Sequence, residues 1–204
     1  MVALVTDRHL ERRLIRRRRA WGADKFDEVW NGIYIMNAMP NNEHQSLVSR
    51  LTHVLQFVVV DAGQGDVFAG CNLSDRATCW RQNYRVPDVA VFLNGTTAIN
   101  KKTHWLGGPD LAIEIVSPRD RSRKKLDFYA SIGTRELLVI DRKPWSLELY
   151  RLTDQKLAII GRSTVDQPEN LETSAVPLVW RMLAGPERPV IEVAQPGGSG
   201  VWRV

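Results

Sequence analysis

Residues 109–118 read PDLAIEIVSP, a run almost continuously apolar from Leu111 to Val116, as a strand buried on both faces should be. Glu114 stands in its middle. Side-chain alternation places it on the same face as Ala112 and Val116. An isolated buried carboxylate is costly even after relaxation, so Glu114 calls for a compensating cation. Residues 85–93, RVPDVAVFL, pose the same problem at Asp88, whose same-face neighbour is again an alanine, Ala90. Two acids, each flanked by a small residue, suggest room for a ligand. Adjacent strands lie about 4.8 Å apart, so the two carboxylates could reach one ion. Oxygen donors with few histidines nearby select magnesium or manganese over zinc. A plainer reading makes Asp88 a turn residue after Pro87 and Glu114 the partner of an arginine.

Working outward, Pro118 ends the strand, and a basic helix is expected from about Asp120 to Ile132, closed by Gly133. Lys125 and Tyr129, four apart, share a face of it. The lysine could sit at the mouth of a metal site or simply be exposed, with the tyrosine ring packed on the sheet. Strands near Glu136–Ile140, Ser146–Leu152 and Lys156–Gly161 form a meander, and an irregular strand layer follows Pro168. Upstream, Asp66–Leu73 reads as a strand, and Asn41 or Asn42 can cap a helix whose apolar residues Leu47, Val48, Leu51, Val54, Leu55, Val58 and Val59 recur at three- and four-residue spacing. The run VWNGIYIM from Val29 to Met36 reads as a hairpin turning at Asn31-Gly32. Residues 1–20 read as a basic arm or short helix, 21–194 as one α+β domain with a mixed sheet between helices, and 195–204 as a flexible, glycine-rich tail.

The 204 residues are 44% hydrophobic and 25% charged, the balance of a globular chain long enough to hold a core without disulfides. Cys71 and Cys79 read as free thiols. No apolar stretch approaches the roughly 18 residues of a membrane span, and the arginine-rich start lacks the apolar segment of a secretory signal, so no membrane partner and a cytoplasmic address are expected. The net charge of +5 leans weakly towards polyanions. It gathers in two clusters, Arg12–Arg19 and Arg119–Lys125, each either a solvated helix face or a binder of phosphate.

The pieces FDEVWNG (26–32), RVPDVAVF (85–92), PDLAIEIVSP (109–118) and KKLDFYASIGTRELLVID (124–141), taken as an ordered set, resemble the Uma2 family of restriction-endonuclease-like proteins within the PD-(D/E)XK nuclease superfamily. The resemblance implies a restriction-endonuclease-like core, a catalytic metal and phosphodiester hydrolysis. Residue by residue, it makes Asp88 the aspartate of the PD pair and Glu114 the acid of the second motif. The superfamily's lysine would fall at position 116, which is Val116 here; the resemblance implies that it has moved onto the next helix as Lys125. Glu28 matches an N-terminal acid and His44 a histidine at a helix start, which could also be a surface residue.

The expected activity is therefore a magnesium- or manganese-dependent endonuclease. Asp88, Glu114 and the carbonyl of Ile115 would hold the ion. Lys125 would help activate water, with Glu28, His44 and Tyr129 in support. Arg119, Arg121, Arg123 and Lys124 would grip the backbone of nucleic acid, DNA being the expected partner. Two cuts in a duplex would call for a homodimer. The rival expectations are a module of the same fold that binds nucleic acid or protein without cutting, and a hydrolase of small phosphorylated molecules.

Overall fold

In chain order the elements are α1 (Arg8–Ala20), β1 (Glu28–Trp30), β2 (Ile33–Ile35), α2 (Asn42–Leu55), β3 (Gly65–Phe68), β4 (Leu73–Ser74), β5 (Tyr84–Arg85), β6 (Val89–Leu93), β7 (Ile99–Asn100) and β8 (Trp105–Leu106). There follow β9 (Leu111–Ile115), α3 (Leu126–Ser131), β10 (Glu136–Arg142), β11 (Trp145–Thr153), β12 (Lys156–Thr164), β13 (Leu171–Thr173), β14 (Leu178–Leu183), β15 (Val190–Ala194) and β16 (Val201–Arg203). They come from a computed structural model that describes residues 8–116, 122–197 and 200–204.

A six-stranded mixed sheet in the order β12-β11-β10-β9-β6-β3 is the central layer. β9 pairs parallel with β10 and antiparallel with β6. Buried on both faces, these strands sort their side chains by alternation. Leu111, Ile113 and Ile115 join Val89, Val91, Leu138 and Ile140 on one face, against Leu47, Leu51, Val54 and Leu55 of α2. Burying each of those large side chains contributes roughly 1.5–3 kcal/mol relative to leaving it exposed. Ala90, Ala112, Leu137 and Val139 line the other face with Phe128 and Tyr129 of α3. The space beside the two alanines is thus taken up by aromatic side chains.

α2 begins where the sequence says it should. Asn41 is extended at φ −80°, ψ 172°, and its side chain accepts the His44 backbone N–H at 3.0 Å. A second sheet, β2-β1-β5-β4-β8-β7, lies on the α3 side and contributes Leu73 and Trp105 to that cluster. Its first hairpin turns at Asn31 and Gly32, both left-handed at φ 48° and 84°, as a two-residue turn between twisted strands requires. A third sheet, β13-β14-β15-β16, packs Leu178, Trp180, Met182 and Ile191 on the α2 side.

The fold class agrees with the reading, an α+β architecture around a mixed sheet, with several details to correct. Three sheets are present among the described residues instead of one. The strand expected over Asp66–Leu73 is two, β3 in the central sheet and β4 in the second. The expected helix to Ile132 is a 3-10 turn at Ser122–Lys125 followed by the short α3, which Gly133 closes at φ 80°. The glycine-rich end is not a free tail. β16 pairs with β15 through Glu192↔Arg203, Val193↔Trp202 and Ala194↔Val201, and Val204 is buried in the core. The basic N-terminal stretch, from residue 8, is helical and docked: Arg18 donates to Asp27 and to the Asn37 carbonyl.

Candidate active site

The antiparallel β6–β9 ladder pairs Ala90 with Ala112 and Val89 with Ile113. Asp88 immediately precedes β6 and Glu114 lies in β9, and the Asp88 carboxylate turns to the β9 backbone and to α2. Each is then fixed by its own donors. The Ile115 backbone N–H donates to Asp88 Oδ2 at 2.7 Å, and His44 Nε2 stands 2.8 Å from Oδ1. His44 is buried in the first turn of α2, held there by the Asn41 cap.

Glu114 is 3% exposed and meets the chain that returns after the central strand. Lys125 Nζ donates to its Oε1 at 2.9 Å and its Oε2 at 3.1 Å. The Tyr129 hydroxyl, one helical turn further, donates to Oε1, and Ser122 Oγ lies 3.5 Å from Oε2. Lys125 is itself buried, and it reaches a second acid: its Nζ is 2.8 Å from Glu28 Oε1. Glu28, fully buried on β1, also accepts the Val86 N–H at 2.9 Å and Trp30 Nε1 at 2.7 Å. The structure therefore brings Glu28, His44, Asp88, Glu114, Ile115, Lys125 and Tyr129 into one cluster. It does not leave Lys125 exposed at a mouth, and among the described residues no guanidinium bridges Asp88 or Glu114.

Three carboxylates share this buried cluster with one ammonium and one imidazole. Burial pushes the Glu114 carboxyl up to about 8; the Lys125 charge opposes that rise, and Asp88 and Glu28 add to it. Burial alone would lower Lys125, but the attraction of Glu114 and Glu28 outweighs it and holds the ammonium above its ordinary value. Burial, then the charges of Glu114 and Glu28, keep Tyr129 a phenol. The cluster thus has an excess of negative charge that a divalent cation would relieve. The donors are all hard oxygens, and Asp88 keeps a further lone pair on each oxygen. Among the described residues no group of three or more His, Cys, Asp or Glu is placed as a ready-made metal shell. Two carboxylates and a carbonyl still suit magnesium, which retains several waters and takes the rest of its shell from substrate phosphate. Of Ile115, the N–H on Asp88 is the contact in place; its carbonyl was the ligand expected.

The basic cluster beside the site divides. Ser117, Pro118, Arg119 and Arg121 lie outside the described residues. Lys124 is exposed. Arg123, expected on phosphate, is instead engaged internally, donating to Glu148 at 2.9 Å and to Asp141 at 3.3 Å. Two further residues at the site escaped the sequence reading. Trp30, which anchors Glu28, sits two positions from it in a strand and so shares its face, a signal that was there to read. Arg85 is 5% exposed, 4.6 Å over the Trp30 ring and 4.1 Å over Phe128, and burial lowers its pKa. Its contacts come from sequence-distant rings, and nothing local announced them.

Comparison with known proteins gives two findings. A family model described as "Uma2: Putative restriction endonuclease" matches residues 22–193. A crystal structure titled as a putative nuclease belonging to DUF820, from Anabaena variabilis, superposes with a TM-score of 0.57 at 22% identity, covering 75% of this chain and 86% of that one. At that identity the likeness speaks for the fold alone. No curated protein matches the chain. Because the family match spans most of the sequence and encloses every residue of the cluster from Glu28 to Tyr129, the chain belongs to the Uma2 family.

Proposed function

We propose that the protein is a metal-dependent endonuclease that hydrolyses phosphodiester bonds in nucleic acid, with DNA as substrate and magnesium or manganese as the ion. The observation that carries this is that Asp88, at the start of β6, accepts the Ile115 N–H of the neighbouring strand β9, whose buried Glu114 is held by Lys125. Asp88, Glu114 and the Ile115 carbonyl would hold the ion, whose charge would lower the pKa of a bound water and neutralise the scissile phosphate. The chain does the positioning. His44 and the Ile115 N–H clamp both oxygens of Asp88, so the remaining lone pairs keep one direction. Lys125, tethered to Glu28, holds Glu114 and carries the positive charge that would orient a water beside it. The Tyr129 hydroxyl donates to Glu114 Oε1 beside Lys125 and fixes that oxygen. Lys124, with Arg119 and Arg121, would contact flanking phosphates; Arg123 is committed to Glu148 and Asp141.

Incubating the protein with plasmid and magnesium or manganese, beside Asp88→Ala and Glu114→Ala, tests the reading. Cleavage by the wild type that both substitutions abolish is the expected result, and cleavage retained in the double variant overturns it. Val116, in place of the superfamily's lysine, favours one second reading, a module that binds nucleic acid without cutting. Metal-independent binding with no cleavage would support that module. A homodimer would supply the two cuts a duplex needs, and the cytoplasm is the proposed location. Among the described residues no helix is long and apolar enough to cross a membrane.

A further inference from the structure

α1 precedes the residues that match the family, and its charge is arranged as its position alone would not require. At 100° per residue, Arg12, Arg13, Arg16, Arg17 and Arg19 fall within an arc of about 160°. All five are exposed, while Leu10, Glu11, Leu14, Ile15 and Arg18 are half-buried. The helix thus turns one side to the body and a row of guanidiniums outward. Among the described residues no acid lies within ion-pair distance of Arg12, Arg13, Arg16 or Arg17; Arg19 has only a loose partner, Asp24, at 3.9 Å. Arg17 is steadied by the Trp21 ring, 4.3 Å away.

The sixth arginine fastens this row to the site. Arg18 meets both oxygens of Asp27 at 2.6 Å, and Asp27, 1% exposed, also accepts the Tyr34 hydroxyl at 2.8 Å and the Asn37 N–H at 2.9 Å. Asp27 directly precedes Glu28, the acid that holds Lys125. In the second basic cluster Arg123 is neutralised by Glu148 and Asp141, and Lys125 by Glu28 and Glu114.

We propose that α1 is a backbone clamp for double-stranded DNA, its outward arginines Arg12, Arg13, Arg16 and Arg17 neutralising phosphates beside the site. This rests on the nuclease reading and names where that enzyme would hold its substrate. The charge density selects the partner. From Arg12 to Arg19 the helix rises about 10 Å, so five arginines give roughly one positive charge per 2.6 Å of axis. Duplex DNA carries one negative charge per about 1.7 Å and releases more condensed counterions per contact than a single strand does. Arginine suits the contact because its planar fork matches phosphate.

The test measures binding of a 30-base-pair duplex, in the presence of EDTA, by the wild type and by the variant Arg12→Ala/Arg13→Ala/Arg16→Ala/Arg17→Ala across a salt series. Each lost contact removes about 0.9 from the slope of log affinity against log salt, so the slope should fall by about 3 to 4. Between 50 and 200 mM salt, four contacts account for roughly a hundredfold weakening that the variant should no longer show. Lysine at the same four positions should restore most of the slope, and unchanged helix content by circular dichroism should accompany both variants. An unchanged slope in the alanine variant overturns the clamp. So does an unchanged DNA slope with lost binding to vesicles of phosphatidylcholine containing 30% phosphatidylserine, which would make α1 a membrane contact. The nuclease reading fails separately, if the wild type with magnesium or manganese leaves plasmid uncut.

Discussion

Lys125 Nζ lies 2.8 Å from Glu28 Oε1, joining β1 of the second sheet to the short turn that follows the central strand β9. The same ammonium holds Glu114, so a single buried cation is shared by two buried acids. Removing one partner of such a pair leaves an uncompensated buried charge and costs about 3–5 kcal/mol. Lys125→Met should therefore destabilise the metal-free protein by that amount in urea unfolding. Adding Glu28→Gln to it should cost less than the sum of the two single changes. Strictly additive effects would mean that Lys125 and Glu28 do not act as a pair.

His44 reaches the proposed site through Asp88. If the imidazole orients that carboxylate, His44→Ala should weaken metal binding or activity about 10–100-fold, the usual cost of losing an outer partner. The change should appear as a higher half-saturating magnesium concentration in the cleavage assay. His44→Gln, which can still donate, should recover part of the loss. A lower maximal rate at an unchanged magnesium requirement would argue against this role.

Glu114 sets the pH dependence of the metal-free fold. Its carboxyl, pushed up to about 8 by burial, is far above its value in the unfolded chain. As pH rises from the ordinary glutamate range towards 8, the unfolded state gives up this proton before the folded state does, so folding stability falls. The slope approaches about 1.4 kcal/mol per pH unit for one proton. Above that range the loss levels off. Glu114→Gln should flatten the difference across this window, and saturating magnesium should offset it in the wild type. A wild-type curve parallel to that of Glu114→Gln would show that Glu114 does not titrate as argued.

The elements that sequence made legible are those whose pattern is local. The 3.6-residue period and the Asn41 cap defined α2, the Asn31-Gly32 pair gave the first hairpin, and alternation placed Glu114 with Ala112 on the α3 face. The β6–β9 pairing that brings the two acids to one site was conditional on strand adjacency, which no local pattern contains. What was illegible depends on partners distant in sequence. Arg123 reads as a free cation until Asp141 of β10 and Glu148 of β11 meet it. The glycine-rich end reads as a tail until β15 offers it an edge to pair with. Lys125 reads as a group at a pocket mouth until Glu28, nearly a hundred positions upstream, closes over it.

Glu136 illustrates how an acid within the family pattern can serve the scaffold instead of the chemistry. It is 1% exposed at the start of β10 and accepts Arg151 at 2.8 Å, the Ser174 N–H at 2.9 Å and the Ala175 N–H at 2.8 Å. These donors come from β11 and from the turn between β13 and β14, so one carboxylate ties the central sheet to the third. Glu136→Ala would strand the buried Ala175 N–H and release the Ser174 N–H and the partly exposed Arg151 guanidinium to solvent, at a cost of about 1–3 kcal/mol. The expected outcome is a lowered urea midpoint, with the half-saturating magnesium concentration for cleavage unchanged in the fraction that remains folded. Glu136 sits at the opposite end of the β9–β10 ladder from Glu114, paired with Leu111, so a shift in the metal requirement would contradict its assignment to the scaffold.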